Sequence, residues 1–260
     1  MDCVREWKAS CVDEELTRWN VVDLDGLSPA EYLLYSEAIP RRNDGRVSEA
    51  FLQRYDHLAN GGWWCSGMDL LTGEEDIWGC FKPTSPRFNA DNKKKIKYEH
   101  PPKTATSIFA LKTPLHLWQK IADRYEIDIR KDIDPSLRDL GFWSWLCQHP
   151  EVPLCITEGA KKAGTLLSLG YAAIGLPGIN SGYRTPKDDF GKRIGKSHLI
   201  LPLQKLAVQD RDIYFVFDQD EKPNTIKAVK AAIRKTGYLF KHAGCQSKVV
   251  NWSSHLGERG

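Results

Sequence analysis

The sequence predicts an α+β N-terminal region followed by an α/β domain built on a mostly parallel sheet. Three observations carry that expectation. Two short apolar runs, residues 152–157 and 212–217, stop abruptly at acids: Glu158-Gly159 after the first and Asp218-Gln219-Asp220 after the second. Short β-rich runs bounded by turns are how buried parallel strands read. Each run is followed by a helical pattern, over residues 160–170 and from Pro223 to about Phe240. Upstream that alternation is missing, and amphipathic helices give way to short aromatic strands.

Composition bounds the answer. At 260 residues there is room for one large or two ordinary domains, and 41% hydrophobic with 10% aromatic content can bury a core. No apolar run approaches the ~20 residues of a membrane span. The opening Met1-Asp2-Cys3-Val4-Arg5-Glu6 lacks the basic-then-apolar form of a signal peptide. Seven scattered cysteines without a C-x-x-C pair favour reduced thiols and a cytoplasmic location over a disulfide framework or zinc ribbon. A net charge of +3 permits nucleic acid without demanding it. There is no P-loop, which excludes an ATP-driven motor of that type.

Three segments follow in order: a helical N-terminal segment (1–60), a mixed α/β, basic and aromatic-rich region (61–150), and the α/β domain (151–260). In the first, Ser28-Pro29-Ala30-Glu31 predicts a helix start with Ser28 as the cap, running on to end before Pro40. A second short helix is expected over residues 48–55, with Phe51, Leu52 and Tyr55 in the core.

In the middle region, Trp63-Trp64-Cys65 and residues 77–81 predict aromatic strands. Arg87 then leads into the densest basic stretch, residues 93–103, with Lys95, Lys97 and Tyr98 inside it. Cations beside aromatic faces make a single-strand platform, the cations following phosphates and the rings stacking on bases. A solvated loop flanking a hairpin is the competing reading. A helix is expected at residues 114–122, with Leu115, Trp118, Ile121 and Ala122 inward and His116 at the surface. A further helix rich in aromatics is expected within residues 128–150.

In the last segment, residues 171–174 predict the second strand. Gly175 and Gly178 follow it, and glycines there let backbone N–H groups approach a phosphate or neighbouring acids, or make a plain tight turn. The basic run 181–197, with Arg184, is long for an unstructured loop, and beside a metal site it would guide a nucleic-acid backbone. Residues 199–206 read as helix from Pro202. A last strand is expected over residues 247–252.

In open α/β sheets the ligand crevice lies beyond the carboxyl ends of the strands, where Glu158, Asp218 and Asp220 would gather. Strand alternation sends Asp218 and Asp220 the same way. Clustered carboxylates repel unless a proton or cation intervenes, and two or three hard oxygen ligands suit Mg²⁺ or Mn²⁺. Single acids after strands also occur as solvated loop residues or caps. Lys161 and Lys162 oppose the helix dipole in the first turn after Glu158, which is easier to understand if they face phosphates or carboxylates.

A strand ending in Glu158-Gly159, a helix, a glycine-followed strand and a strand ending in Asp218-Gln219-Asp220 together resemble the TOPRIM domain. The wording Thr157-Glu158-Gly159-Ala160-Lys161-Lys162-Ala163 looks most like the TOPRIM-like domains of plasmid, phage and mobile-element replication proteins. The resemblance covers roughly residues 152–252. It implies a Rossmann-like, mostly parallel four-stranded sheet, Glu158 as acid/base or metal-linked acid, and Asp218 and Asp220 as metal holders. One departure stands out. The family carries a further acidic motif after the last strand, and this chain closes on Gly257-Glu258-Arg259-Gly260. The Arg87 to Tyr98 region also looks like the segment before TOPRIM in bacterial primases.

The resulting expectation is a metal-dependent DNA primase-like nucleotidyltransferase module of a mobile-element replication protein. Its expected partners are single-stranded DNA, nucleoside triphosphates and a replicative helicase, with no membrane. The alternatives are a TOPRIM nuclease and a non-catalytic DNA-binding or helicase-adaptor domain. No tyrosine-bearing cleavage domain is evident for a topoisomerase.

Overall fold

The computed structural model describes residues 3–89, 93–129, 141–219 and 221–251. The chain begins with α1 (Cys3–Lys8), α2 (Glu14–Asn20), β1 (Val21–Leu24), α3 (Ser28–Leu33) and α4 (Glu49–Leu52), then a 3-10 helix (Gln53–Asn60), β2 (Gly62–Cys65) and β3 (Cys80–Pro83). Asp13 caps α2, its Oδ1 accepting the Leu16 N–H at 2.9 Å. Strands β1, β2 and β3 form an antiparallel sheet in that order.

Strand β1 corrects the helical reading of residues 1–60. Val21 and Val22 follow α2 with no breaker between them, and only pairing with Trp64 and Cys65 across the sheet makes them a strand. Ser28 is also corrected. Its backbone is already helical, Leu27 occupies the cap position without a side-chain hydrogen bond, and the helix stops at Leu33. Of residues 77–81 only Cys80 and Phe81 lie in β3, and Ile77 is exposed.

The second half comprises α5 (Leu115–Arg124), α6 (Phe142–Gln148), β4 (Leu154–Glu158), α7 (Ala160–Ser168), β5 (Ala173–Leu176), β6 (Tyr183–Arg184), β7 (His198–Leu199), α8 (Leu201–Leu206), β8 (Asp212–Val216), α9 (Pro223–His242) and β9 (Gln246–Val249). β5, β4, β8 and β9 form a four-stranded sheet in that order, and every neighbouring pair is parallel. The expected parallel α/β sheet is therefore present. Its central strand β4 is buried from Leu154 through Thr157, as a strand with layers on both faces must be. β5 lies two residues later than the sequence suggested, and β9 covers Gln246–Val249, with Trp252 outside the described residues.

One hydrophobic cluster runs from Cys3, Trp7 and Leu16 through Trp63 and Trp118 to Leu154, Ile156 and Phe215. A smaller one joins Leu33, Ile39, Leu58, Trp64 and Phe81. The segment before α5 reaches the parallel sheet directly. Phe109 exchanges backbone hydrogen bonds with Gly175 at 2.8 and 3.0 Å, adding one antiparallel rung outside β5. That rung brings the basic, aromatic region beside the carboxyl edge of the sheet. Among the described residues no helix is long and apolar enough to cross a membrane.

Candidate active-site cleft

β4 and β8 are parallel neighbours in a register that sets Thr157 opposite Val216, so Glu158 and Asp218 leave the sheet at the same edge. Gly159 makes the turn out of β4 possible. Its φ of +84° and ψ of 155° lie in a region essentially confined to glycine. Helix α7 starts at once, so its first turn stands over the acids. A cleft of about 620 Å³ opens here, with Glu158, Asp218, Lys161 and Lys162 on one wall and Trp63, Lys97, Tyr98 and His100 on the other.

The electrostatics of that wall are uneven. Glu158 is half-buried, and burial pushes its pKa up; the Lys162 ammonium opposes this and the Asp218 carboxylate adds to it. Asp218 is exposed, and Lys162 donates to its Oδ2 at 2.5 Å with the two side chains 45% and 67% exposed. A pair so open to water is weak and exchangeable. Lys161 behaves differently. It donates to Glu6 of α1 at 2.7 Å, and the same carboxylate accepts from Lys82 at 2.8 Å and from Trp63 Nε1 at 2.9 Å. Burial alone would raise the pKa of Glu6, but these three donors outweigh it and hold it down to about 2.

On the facing wall, Tyr98 packs against Trp63 at 5.9 Å between ring centroids, and burial pushes its hydroxyl up to about 12. The phenol therefore stays neutral and can donate a hydrogen bond into the cleft. Lys97 stands beside it. His100 lies stacked on Trp78 at 5.1 Å, and burial lowers its pKa.

Other predicted residues lie elsewhere. The Arg87 guanidinium donates to both oxygens of Glu99, at 2.6 and 2.9 Å, and Glu99 is only 4% exposed. This arginine neutralises a buried acid and stacks over Tyr55. Lys95 lies over the Phe88 ring, away from the cleft. Arg184 lines a separate cavity with Asp76, Trp78 and His198. Asp220 lies outside the described residues.

The glycines do structural work of another kind than phosphate contact. The Gly159 N–H is donated to Leu176 O at 2.7 Å and the Gly175 N–H to Phe109 O at 3.0 Å, so neither is available to a phosphate. A Cβ at Gly175 would sit 2.6 Å from the Gly159 carbonyl oxygen. A Cβ at Gly178 would make only an ordinary contact with Ser181 Oγ at 3.7 Å, and with no left-handed φ it reads as a plain turn residue.

Among the described residues no group of three His, Cys, Asp or Glu side chains stands close enough to hold a metal ion. The donors that are described, Glu158 and Asp218, are hard oxygens on one cleft whose negative charge is met by a single exchangeable lysine. That donor chemistry fits Mg²⁺ or Mn²⁺ and does not fit soft metals. No local pattern marks Glu6, whose partner on α7 is 155 residues away.

A family model described as a domain of unknown function, DUF3854, matches residues 142–260. The chain is also similar to an uncharacterized protein of Picosynechococcus sp., 52% identical over 251 residues. That alignment covers 95% of this chain and 24% of the relative, so the chain spans about a quarter of the relative's length. No solved structure matches.

Proposed function

We propose that this chain is a TOPRIM-like, primase-type nucleotidyltransferase module that joins nucleotides on single-stranded DNA. The observation that carries the reading is the shared cleft. Two carboxylates from the ends of adjacent parallel strands face a basic, aromatic wall, Lys97 and Tyr98, contributed by a distant part of the chain. Glu158 and Asp218, with Asp220 two residues further along, would hold Mg²⁺ or Mn²⁺, which when bound supplies charge neutralisation for a triphosphate. Lys162 leaves Asp218 for an incoming phosphate, since its present pair is solvent-exposed. Lys97 holds a phosphate on the opposite side. Tyr98, held neutral, offers a face for a base and a hydroxyl for a sugar or phosphate oxygen. Glu158, at the end of β4, is placed to accept the proton of a 3′ hydroxyl attacking the α-phosphate, with pyrophosphate leaving. Catalysis here is mostly positioning.

A second reading is a non-catalytic nucleic-acid-binding or helicase-adaptor domain, in which Lys162 remains on Asp218 as it stands here. Incubation with a single-stranded template, nucleoside triphosphates and Mg²⁺ or Mn²⁺ separates the readings. Template-dependent product from the native chain, reduced about 100-fold or more in Asp218→Asn, is expected. Template degradation without nucleotides would indicate a nuclease. Bound template with no product would leave the adaptor.

A further inference from the structure

The run 181–197, basic in sequence and without an expected element, folds into an arm. At its base β6 and β7 pair Tyr183 with Leu199 and Arg184 with His198, and further out Lys187 bridges Arg193. Thr185 and Ser197 hydroxyls meet across it at 2.6 Å. The tip is tightly specified. Gly191 N–H donates to Asp188 O and Asp188 N–H to Lys192 O, each at 2.9 Å, while Asp188 Oδ1 accepts the N–H groups of Phe190 at 3.1 Å and Lys192 at 2.8 Å. Gly191 takes the left-handed φ of +79° that closes such a three-residue turn.

This turn presents Phe190 to solvent at 96% exposure. Arg184, Lys187, Lys192, Arg193 and Lys196 are exposed along the arm, which also carries the exposed Asp189 next to Phe190, and none of these cations forms an ion pair with a carboxylate among the described residues. Lys235 of α9 lies over the Tyr183 ring at 4.2 Å and ties the arm to that helix. α9 carries Lys230 and Arg234 along a groove that ends at Asp218.

We infer that the 183–199 arm binds single-stranded nucleic acid, with Phe190 stacked on an unpaired base and Lys187, Lys192, Arg193 and Lys196 on the flanking phosphates. A lone aromatic ring among cations matches a base face between phosphates. A duplex interior hides its base faces, so the ligand is single-stranded or a strand end. The inference rests on the reading that nucleic acid is the substrate, and it places a second contact outside the cleft.

The test is fluorescence anisotropy with a labelled oligo(dT) across a KCl series, on the full chain, with circular dichroism to verify folding of each variant. Phe190→Ala is expected to weaken binding about tenfold with an unchanged salt slope, and Phe190→Tyr to restore it. Lys192→Gln/Arg193→Gln is expected to lower the slope of log K against log salt by about 1.4. If these variants bind as the native chain does while Tyr98→Ala binds weakly, the arm inference falls and the cleft reading survives. If the native chain binds no oligonucleotide even at low salt, both fall. If DNA affinity is unchanged in Phe190→Ala but sedimentation with phosphatidylserine vesicles is lost, the arm meets a membrane surface and the inference is overturned.

Discussion

The carboxylate of Glu6 and that of Glu158 flank the first turn of α7, and their environments push them in opposite directions. Glu6 is lowered from the ordinary 4.5 to about 2, so its contribution to stability is present above pH 4.5 and is lost as pH falls toward 2. With its partial exposure discounted, that contribution is about 1–2 kcal/mol. Glu6→Gln is therefore expected to be less stable by that amount at pH 7 and to show a flatter urea midpoint between pH 4.5 and 2. An unchanged midpoint at pH 7 would show the node contributes nothing. Glu158 is raised, so its favourable contribution is complete below pH 4.5 and disappears as pH rises through its elevated value. In chelator-containing buffer, Glu158→Gln is expected to melt slightly higher than the native chain at pH 8 and equally at pH 4. A lower melting temperature at pH 8 would contradict the half-buried, charge-crowded site. Carboxylates that destabilise their own fold are what a functional cleft retains.

Gly159 and Gly175 face each other across the β4–β5 edge and limit substitution for different reasons. A Cβ at Gly159 meets nothing within 4 Å, so Gly159→Ala is penalised by conformation alone, about 1–3 kcal/mol for that φ/ψ. At Gly175 the conformation is ordinary and space is the obstacle, so Gly175→Ala is expected to cost about 1–3 kcal/mol by overpacking. Because the strand must shift to relieve the contact, Gly175→Ala should also move Glu158, whereas Gly159→Ala moves the start of α7. Denaturant titration combined with amide chemical shifts at residues 157–162 reads both effects. At this scale much was legible. β4, α7, β8 and α9 announced themselves because apolar runs end in acids and helical patterns follow, with Pro223 opening the last helix. β1 did not, since nothing local distinguishes Val21 and Val22 from a helix continuation. The arm did not either, because its Asp188 and Gly191 turn signals were submerged in a run of lysines.

Across the molecule, two long-range ties hold the halves in register: the Glu6–Lys161 pair and the Phe109–Gly175 rung. A third sits at the opposite end of the parallel sheet. Arg211 is fully buried before β8, and its guanidinium donates to carbonyl oxygens of Leu146, His149 and Leu206, closing the C-terminal ends of α6 and α8. Arg211→Ala would leave those carbonyls buried and open a cavity, and is expected to destabilise by about 3 kcal/mol, read from the urea midpoint. The candidate site was half legible from sequence: the placement of Glu158 and Asp218 at one edge was, because the ends of parallel strands gather there, and Tyr98 stood out only as an aromatic inside a basic run. That Lys97 and Tyr98 would face Glu158 was visible only in tertiary contacts, and Arg87 was drawn away by Glu99, a buried acid whose need for a cation no local pattern reveals.

The most direct measurement of the central claim is Mn²⁺ affinity by isothermal calorimetry on the native chain, Glu158→Gln and Asp218→Asn. A single site is expected in the native chain, weakened at least about tenfold by each substitution. Equal affinity in all three proteins, or no binding by the native chain, would contradict a cation shared between the ends of β4 and β8.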